Sequence, residues 1–286
     1  MRPAGVCVAA RARRSPGLML GAALSGAVVL LALVSLAWTP WAPQELDIAS
    51  RLQPPSAAHW LGTDSLGRDI VSLLMAGAQT SLLVGVVAVA IGLTLGVALG
   101  ALAAARRGWI DEALMRAADF GFAFPALLSA LLLAAVQGPG LATSVVAIGL
   151  YNVPVFARIT RGAALGVWAR EYVLAARAAG KGAWRITLDH VLPNIAAPIV
   201  VQATIAFATA ILAEAALSYL GLGTQPPRPS WGRMLNEAQT QWFQAPMQAV
   251  YPGLAIMTAV LGLNLLGDGL RDLLDPRLAR PGAGAR

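Results

Sequence analysis

Residues 70–105 read IVSLLMAGAQTSLLVGVVAVAIGLTLGVALGALAAA, without one Asp, Glu, Lys or Arg. A helix needs about 20 apolar residues to cross the hydrocarbon core of a bilayer, so a run of this length reads as a membrane crossing. Four other runs also lack charge: 15–44, 120–157, 190–213 and 238–267. The 120–157 run is long enough for two short crossings, and Gln137-Gly138-Pro139-Gly140 at its middle is a strong turn signal. Six spans are therefore expected, at 17–38, 80–104, 117–136, 141–158, 194–215 and 248–268. The fold class is an all-α polytopic membrane protein.

Composition agrees. Of 286 residues, 57% are hydrophobic and 12% charged. That charged share is about half the usual value for a soluble domain. So much apolar surface exceeds what one soluble interior can hide, and it excludes disorder. The single cysteine, Cys7, rules out a disulfide framework, and two histidines, His59 and His190, leave little for a His-rich metal centre.

The net charge of +7 is explained by where the basic residues lie. Seventeen of the 21 Lys and Arg fall on one side of the predicted spans: the N-terminal tail 1–16, the turn after span two, the loop 159–193 with Arg158 at its edge, and the C-terminal tail 269–286. Arg51, Arg68, Arg228 and Arg233 fall on the other. The positive-inside rule then makes both termini cytoplasmic and the segments 39–79 and 216–247 periplasmic. It also removes nucleic acid as the reason for the basic balance. The first span has a basic start and Ser35-Leu36-Ala37, features a signal peptide shares; its length and the belt residues Trp38 and Trp41 favour an uncleaved span. Both outer segments are rich in Pro, Gly and Trp and too ordered in composition for linkers. Leu66, Ile70, Leu73 and Leu74 suit a surface helix over 66–79 before span two.

Several chemistries lack their residues. Gly180-Lys181 is followed by Gly182, so no phosphate-cradling P-loop is present. No His-Glu-x-x-His or Gly-x-Ser-x-Gly occurs, which leaves an intramembrane enzyme without a nucleophile and base. No catalytic, cofactor-binding or metal-ligating residue is expected. Asp119, Glu214 and Asp268 fall at span ends, where interfacial acids cap or pair locally. His59, Asp64 and Asp69 surround glycines and read as a turn with Asx-type hydrogen bonds.

The loop 159–193 reads as helix, Gly turn, helix, then re-entry into the membrane. Residues 171–179 are helix-compatible, Gly180 and Gly182 break them, and a second stretch, 183–191, stops at Leu192-Pro193-Asn194. Ala175, Ala176 and Gly180 are small enough to let a partner approach the backbone. An ordinary amphipathic helix on the membrane surface gives the same pattern.

The segment Glu171 to Asn194 resembles the EAA motif of bacterial ABC importer permeases, with matches at Ala175, Ala176, Gly180, Leu192 and Pro193. Leu174 stands where the motif has Glu, Glu171 lies about one turn upstream, and His190 replaces an apolar residue. His59-Trp60-Leu61-Gly62-Thr63-Asp64, Ala123-Phe124-Pro125, Glu214 through Gly223, Tyr251-Pro252-Gly253 and Gly267 through Arg277 are similar to the C-type permease of dipeptide, oligopeptide and nickel importers. The resemblance covers about residues 20–278. It implies a type I ABC importer permease fold in the bacterial inner membrane. It implies a heterodimer with a homologous permease, two ATPase subunits that bind the ATP and magnesium, and an extracytoplasmic solute-binding protein. It assigns Glu171, Ala175, Ala176, Arg177, Gly180, Leu192 and Pro193 to ATPase coupling. The solute is a peptide or a related molecule such as nickel. An ion-coupled secondary transporter is the alternative, but it needs mid-depth ionisable sites that the spans lack.

Overall fold

A computed structural model describes residues 15–123 and 126–274. The tails, including Cys7 and the basic residues of 1–14 and 275–286, and Phe124-Pro125 lie outside the described residues. The described chain is almost wholly helical: α1 (Pro16–Ala37), α2 (Ile70–Arg106), α3 (Gly108–Ala123), α4 (Ala126–Gln137), α5 (Leu141–Trp168), α6 (Glu171–Ala178), α7 (Ala183–Tyr219), α8 (Trp231–Ala238) and α9 (Met247–Leu274). Among the described residues, α1, α2, α5, α7 and α9 are each long and apolar enough to cross a membrane. The pair α3 and α4 makes a sixth crossing if taken as one span, although it is bent by 83°.

Helix ends differ from the expected spans for physical reasons. The expected surface helix over 66–79 is instead the first part of α2, which runs unbroken for 37 residues. Its start is fixed by Asp69, whose Oδ2 accepts from the Ser72 backbone N–H and the Ser72 hydroxyl, each at 2.8 Å. No breaker follows between Ile70 and Arg106 strong enough to stop it. At about 1.5 Å per residue α2 is about 55 Å long, so it projects well beyond a hydrocarbon core of about 30 Å. The expected straight span 117–136 is broken; Pro125 in the sequence disfavours helix at the residue before it. The hairpin after α4 is as expected, with Gly138 at φ +85°.

The centre of the molecule is α2 against α5. Gly92, Gly96 and Gly100 recur every four residues on α2, and α5 lies directly upon them. A methyl at Gly96 would fall 2.6 Å from Phe156 Cβ, and one at Gly100 would fall 2.8 Å from Thr160 Cβ. Such a stripe lets two backbones approach closely where lipid offers no hydrophobic drive for association. The same device joins α1 to α9. Gly262 lies against Leu24 and Ser25, Gly21 against Leu266, and Gly269 against Leu18. These contacts place Pro16 and Leu274 at the same end of the molecule.

At the opposite end, residues 39–69 and 220–246 fold into an ordered cap. Asp64 Oδ1 accepts from Leu66 N at 2.8 Å and Arg68 N at 2.9 Å, an Asx-type turn. His59 Nδ1 meets Asp69 Oδ1 at 3.0 Å. The motif 59–69 thus spends its polar side chains on its own turn and on the start of α2. Arg68 is buried, and its guanidinium pairs with Asp64 at 2.6 Å and with Glu237 of α8. Burial works against that charge, but the two carboxylates outweigh it and hold the Arg68 pKa above its usual value. Trp231 is fully buried and donates its indole N–H to the Leu74 carbonyl at 3.0 Å, directly over Gly77.

Replacing Gly96 tests the central contact. Gly96→Ala is expected to lower the Tm of the solubilised protein and Gly96→Leu to lower it further, since overpacking costs about 1–3 kcal/mol. Gly162→Ala is the control. It lies on α5 with open space around it, and is expected to leave Tm unchanged or raised. Equal effects from all three would contradict the glycine-stripe packing.

Candidate functional site

The chain after α5 is shaped by one anchor cluster and one turn. Arg158 and Arg161 lie on α5, which continues to Trp168 instead of ending near 158, and both face α3. Arg161 grips Asp111 with two hydrogen bonds, of 2.8 and 2.6 Å. Arg158 pairs with Asp119 and sits 4.3 Å from the Phe122 ring centroid. The connection proper is therefore 169–182, with α6 as its one helix. The turn after α6 closes with Gly180 N–H to Arg177 O at 3.0 Å and Lys181 N–H to Ala176 O at 3.1 Å. This pattern is a Schellman motif, which needs a left-handed residue, and Gly180 supplies it at φ +85°.

Next, α7 begins at Ala183 and does not stop at Pro193. A π turn over Thr187–Val191 immediately precedes Leu192, and the helix runs on to Tyr219. Proline brings no N–H to the ladder, and a wider turn just before it absorbs the change of register. The side chain of Asn194 donates to the His190 carbonyl at 2.7 Å.

Val173 of α6 and Ile186 of α7 are both 1% exposed. They sink into a cluster with Ala104 of α2, Ala164 and Trp168 of α5, and Val191 and Ile195 of α7. This cluster bolts the short helix to the ends of three long ones. Sequence reasoning missed these anchors; the signal was a pair of β-branched residues in an alanine-rich loop.

The predicted coupling residues divide on this frame. Glu171, Ala175, Arg177, Gly180 and Pro193 are exposed, whereas Ala176 and Leu192 are half-buried against the anchor cluster. So Ala176 is not simply an open face for a partner; it also packs inward. Gly180 is small because its backbone is left-handed, and the space beyond it is open. Leu174, in the place of the motif's acid, is 52% exposed, and Tyr172 and Trp184 stand out beside it. Arg106 and Arg107 from α2 face Arg177 and Lys181 across a hollow of about 580 Å³ floored by Trp168. Among the described residues, Arg106, Arg107 and Arg177 form no salt bridge, so this end presents concentrated positive charge.

The three acids expected at wet span ends behave differently. Asp119 pairs locally and Asp268 is exposed. Glu214 is fully buried, which corrects the interfacial expectation. Its Oε1 accepts from Ser218 at 2.7 Å and Thr224 at 3.1 Å, and its Oε2 from Ser81 at 3.3 Å. Residues 220–225 fold back over the end of α7 and cover it. Three hydroxyls from α2, α7 and the cap then stand in for water.

Known proteins share this architecture. A chain of the MetNI methionine ABC transporter, solved in inward-facing conformations, superposes with a TM-score of 0.57 at 20% identity, covering 71% of this chain and 97% of that one. The dipeptide transport system permease protein DppC of Alkalihalophilus pseudofirmus is 43% identical over 260 residues, 91% of this chain and 86% of the relative. The glutathione transport system permease protein GsiD of Pectobacterium atrosepticum is 43% identical over 262 residues, 90% and 87% of the two chains. The family model for the inner membrane component of binding-protein-dependent transport systems matches residues 92–280, which include Gly92, Gly96 and Gly100 of α2, all of α5 and the anchored connection. Matched by that family model and 43% identical to such permeases over nine-tenths of its length, the chain belongs to the family of binding-protein-dependent transport system inner membrane components.

Proposed function

We propose that the chain forms half of the membrane path of an ATP-driven importer of short peptides or related solutes. It pairs with a second, homologous permease. Two ATPase subunits, which bind and hydrolyse ATP with magnesium, seat on α6, and an external binding protein delivers solute to the cap. The observation that carries this reading is the bolted helix α6, whose Val173 anchor is buried while Ala175 and Arg177 are exposed. Movement imposed on α6 passes through the anchor cluster into α2, α5 and α7 together, the rigid link that alternating access requires. The dipeptide and glutathione relatives support peptides as the solute class. Both termini, with α6, are cytoplasmic in this reading, and the cap is periplasmic.

Two measurements check it. Ala175→Trp adds bulk on the exposed face and is expected to leave membrane insertion intact while lowering ATPase co-purification about tenfold or more, the loss that about 1.4 kcal/mol produces. Ala176→Trp instead strains the seat and is expected to lower thermal stability as well. Full ATPase recovery and full uptake with both variants would reduce α6 to a surface helix. In a Cys7→Ser background, Phe243→Cys, at a site 99% exposed on the cap, is expected to react with an impermeant maleimide in intact spheroplasts. Ala178→Cys is expected to react only after permeabilisation, and labelling of Ala178→Cys from outside would reverse the orientation.

A further inference from the structure

Midway along the long helices, α4, α5 and α7 line an open-sided cavity of about 360 Å³. Most of its wall is alanine and branched aliphatic residues, but Tyr151, Asn152, Gln202 and Thr209 also face it. Asn152 lies eleven residues from the start of α5, about 17 Å along the helix, and Gln202 ten residues from Leu192, about 15 Å. Both positions fall within the hydrocarbon zone. Asn152 is 4% exposed, its backbone pressed against Gly92, yet its side-chain amide forms no hydrogen bond to any described residue. The Gln202 amide forms none either. Thr209 donates to the Ala206 carbonyl at 3.0 Å, which leaves its oxygen free to accept.

An unpaired amide in an apolar setting is costly, and buried polar groups are almost always satisfied. The buried Asn152 amide and the half-buried Gln202 amide, on facing helices at one cavity, therefore mark a place where a polar guest completes the bonding. A side-chain amide offers donors and an acceptor together, the same complement a peptide bond presents. None of the residues lining the cavity is charged. Such a wall neither traps nor repels the charged termini of a peptide, and passage needs contacts weak enough to release. We infer that Asn152 and Gln202 form an amide pair on the solute path that hydrogen-bonds the peptide backbone of the solute in transit. This inference rests on the reading of the chain as a peptide permease.

The test uses the complete complex of both permeases, ATPases and binding protein in vesicles, with Cys7→Ser in this chain. Single Gln202→Cys and Asn152→Cys variants are treated with the charged reagent methanethiosulfonate ethylsulfonate. Val200→Cys and Leu212→Cys, at exposed apolar positions of α7 outside the cavity, are the controls. At least tenfold faster reaction at 202 and 152 than at the controls is expected of a water-filled path. Reaction no faster than the controls, as when the partner permease's side chains fill the cavity, overturns the inference. Gln202→Leu is expected to lower ATP-driven uptake of dialanine about tenfold, the loss of roughly one hydrogen bond. ATP hydrolysis stimulated by the loaded binding protein should persist, and Gln202→Asn should restore much of the uptake. Unchanged uptake in Gln202→Leu also overturns it. A wild-type complex without ATP-driven dialanine uptake points to failure of the permease reading, while the cysteine reactivities still judge the cavity.

Discussion

The close approach of α2 and α5 over Gly92, Gly96 and Gly100 is the constraint on which the other features depend. In a bilayer the aliphatic side chains gain nothing by leaving lipid for one another, so association rests on intimate packing. The stripe brings two long parallel helices into backbone contact, and α5 then offers Asn152 directly above Gly92 and Thr160 above Gly100. One contact therefore fixes a wall of the mid-membrane cavity and, a few turns on, the paired ends Ala104 and Ala164 that receive Val173. Loosening it disturbs both.

The two ends of the bundle are finished by opposite means. At the cap, polar side chains are buried and matched: Arg68 between Asp64 and Glu237, Glu214 among three hydroxyls, and Trp231 hydrogen-bonded to Leu74. Breaking a buried pair by removing one partner typically costs about 3–5 kcal/mol, so such a surface resists deformation. At the α6 end Arg106, Arg107 and Arg177 form no salt bridge among the described residues and surround an open hollow, and the apolar cluster around Val173 seats the helix. A stiff cap and an apolar-seated helix suit the proposed role, in which solute arrives at one end and force at the other.

Much of this was legible in the chain because charge exclusion from lipid is a severe filter. The uncharged runs located all the long helices, and Gln137-Gly138-Pro139-Gly140 located the hairpin. The Gly180 break located the turn after α6. Less legible were features set by tertiary contact. The run 70–105 read as a surface helix followed by a span at 80–104, whereas one helix covers both and the Asp69 cap decides where it begins. Pro193 looked like a stop because a π turn is invisible to local propensity. Glu214 looked wet because its cover comes from residues beyond its own helix. The four-residue spacing of Gly92, Gly96 and Gly100 was present in the sequence. Its meaning depends on which helix lies against it, and no periodicity of α2 alone can name α5.

The central claim is that α6 is the place where force enters the bundle. It is tested most directly by a photo-crosslinking amino acid at Ala178, exposed on α6, in the complete complex. Val136, 85% exposed at the far end of α4, carries the same probe as a control. The account predicts that the probe at 178 captures the ATPase subunit and that the probe at 136 does not. Capture of the ATPase from 136, or none from 178 in a complex that still transports, would contradict it.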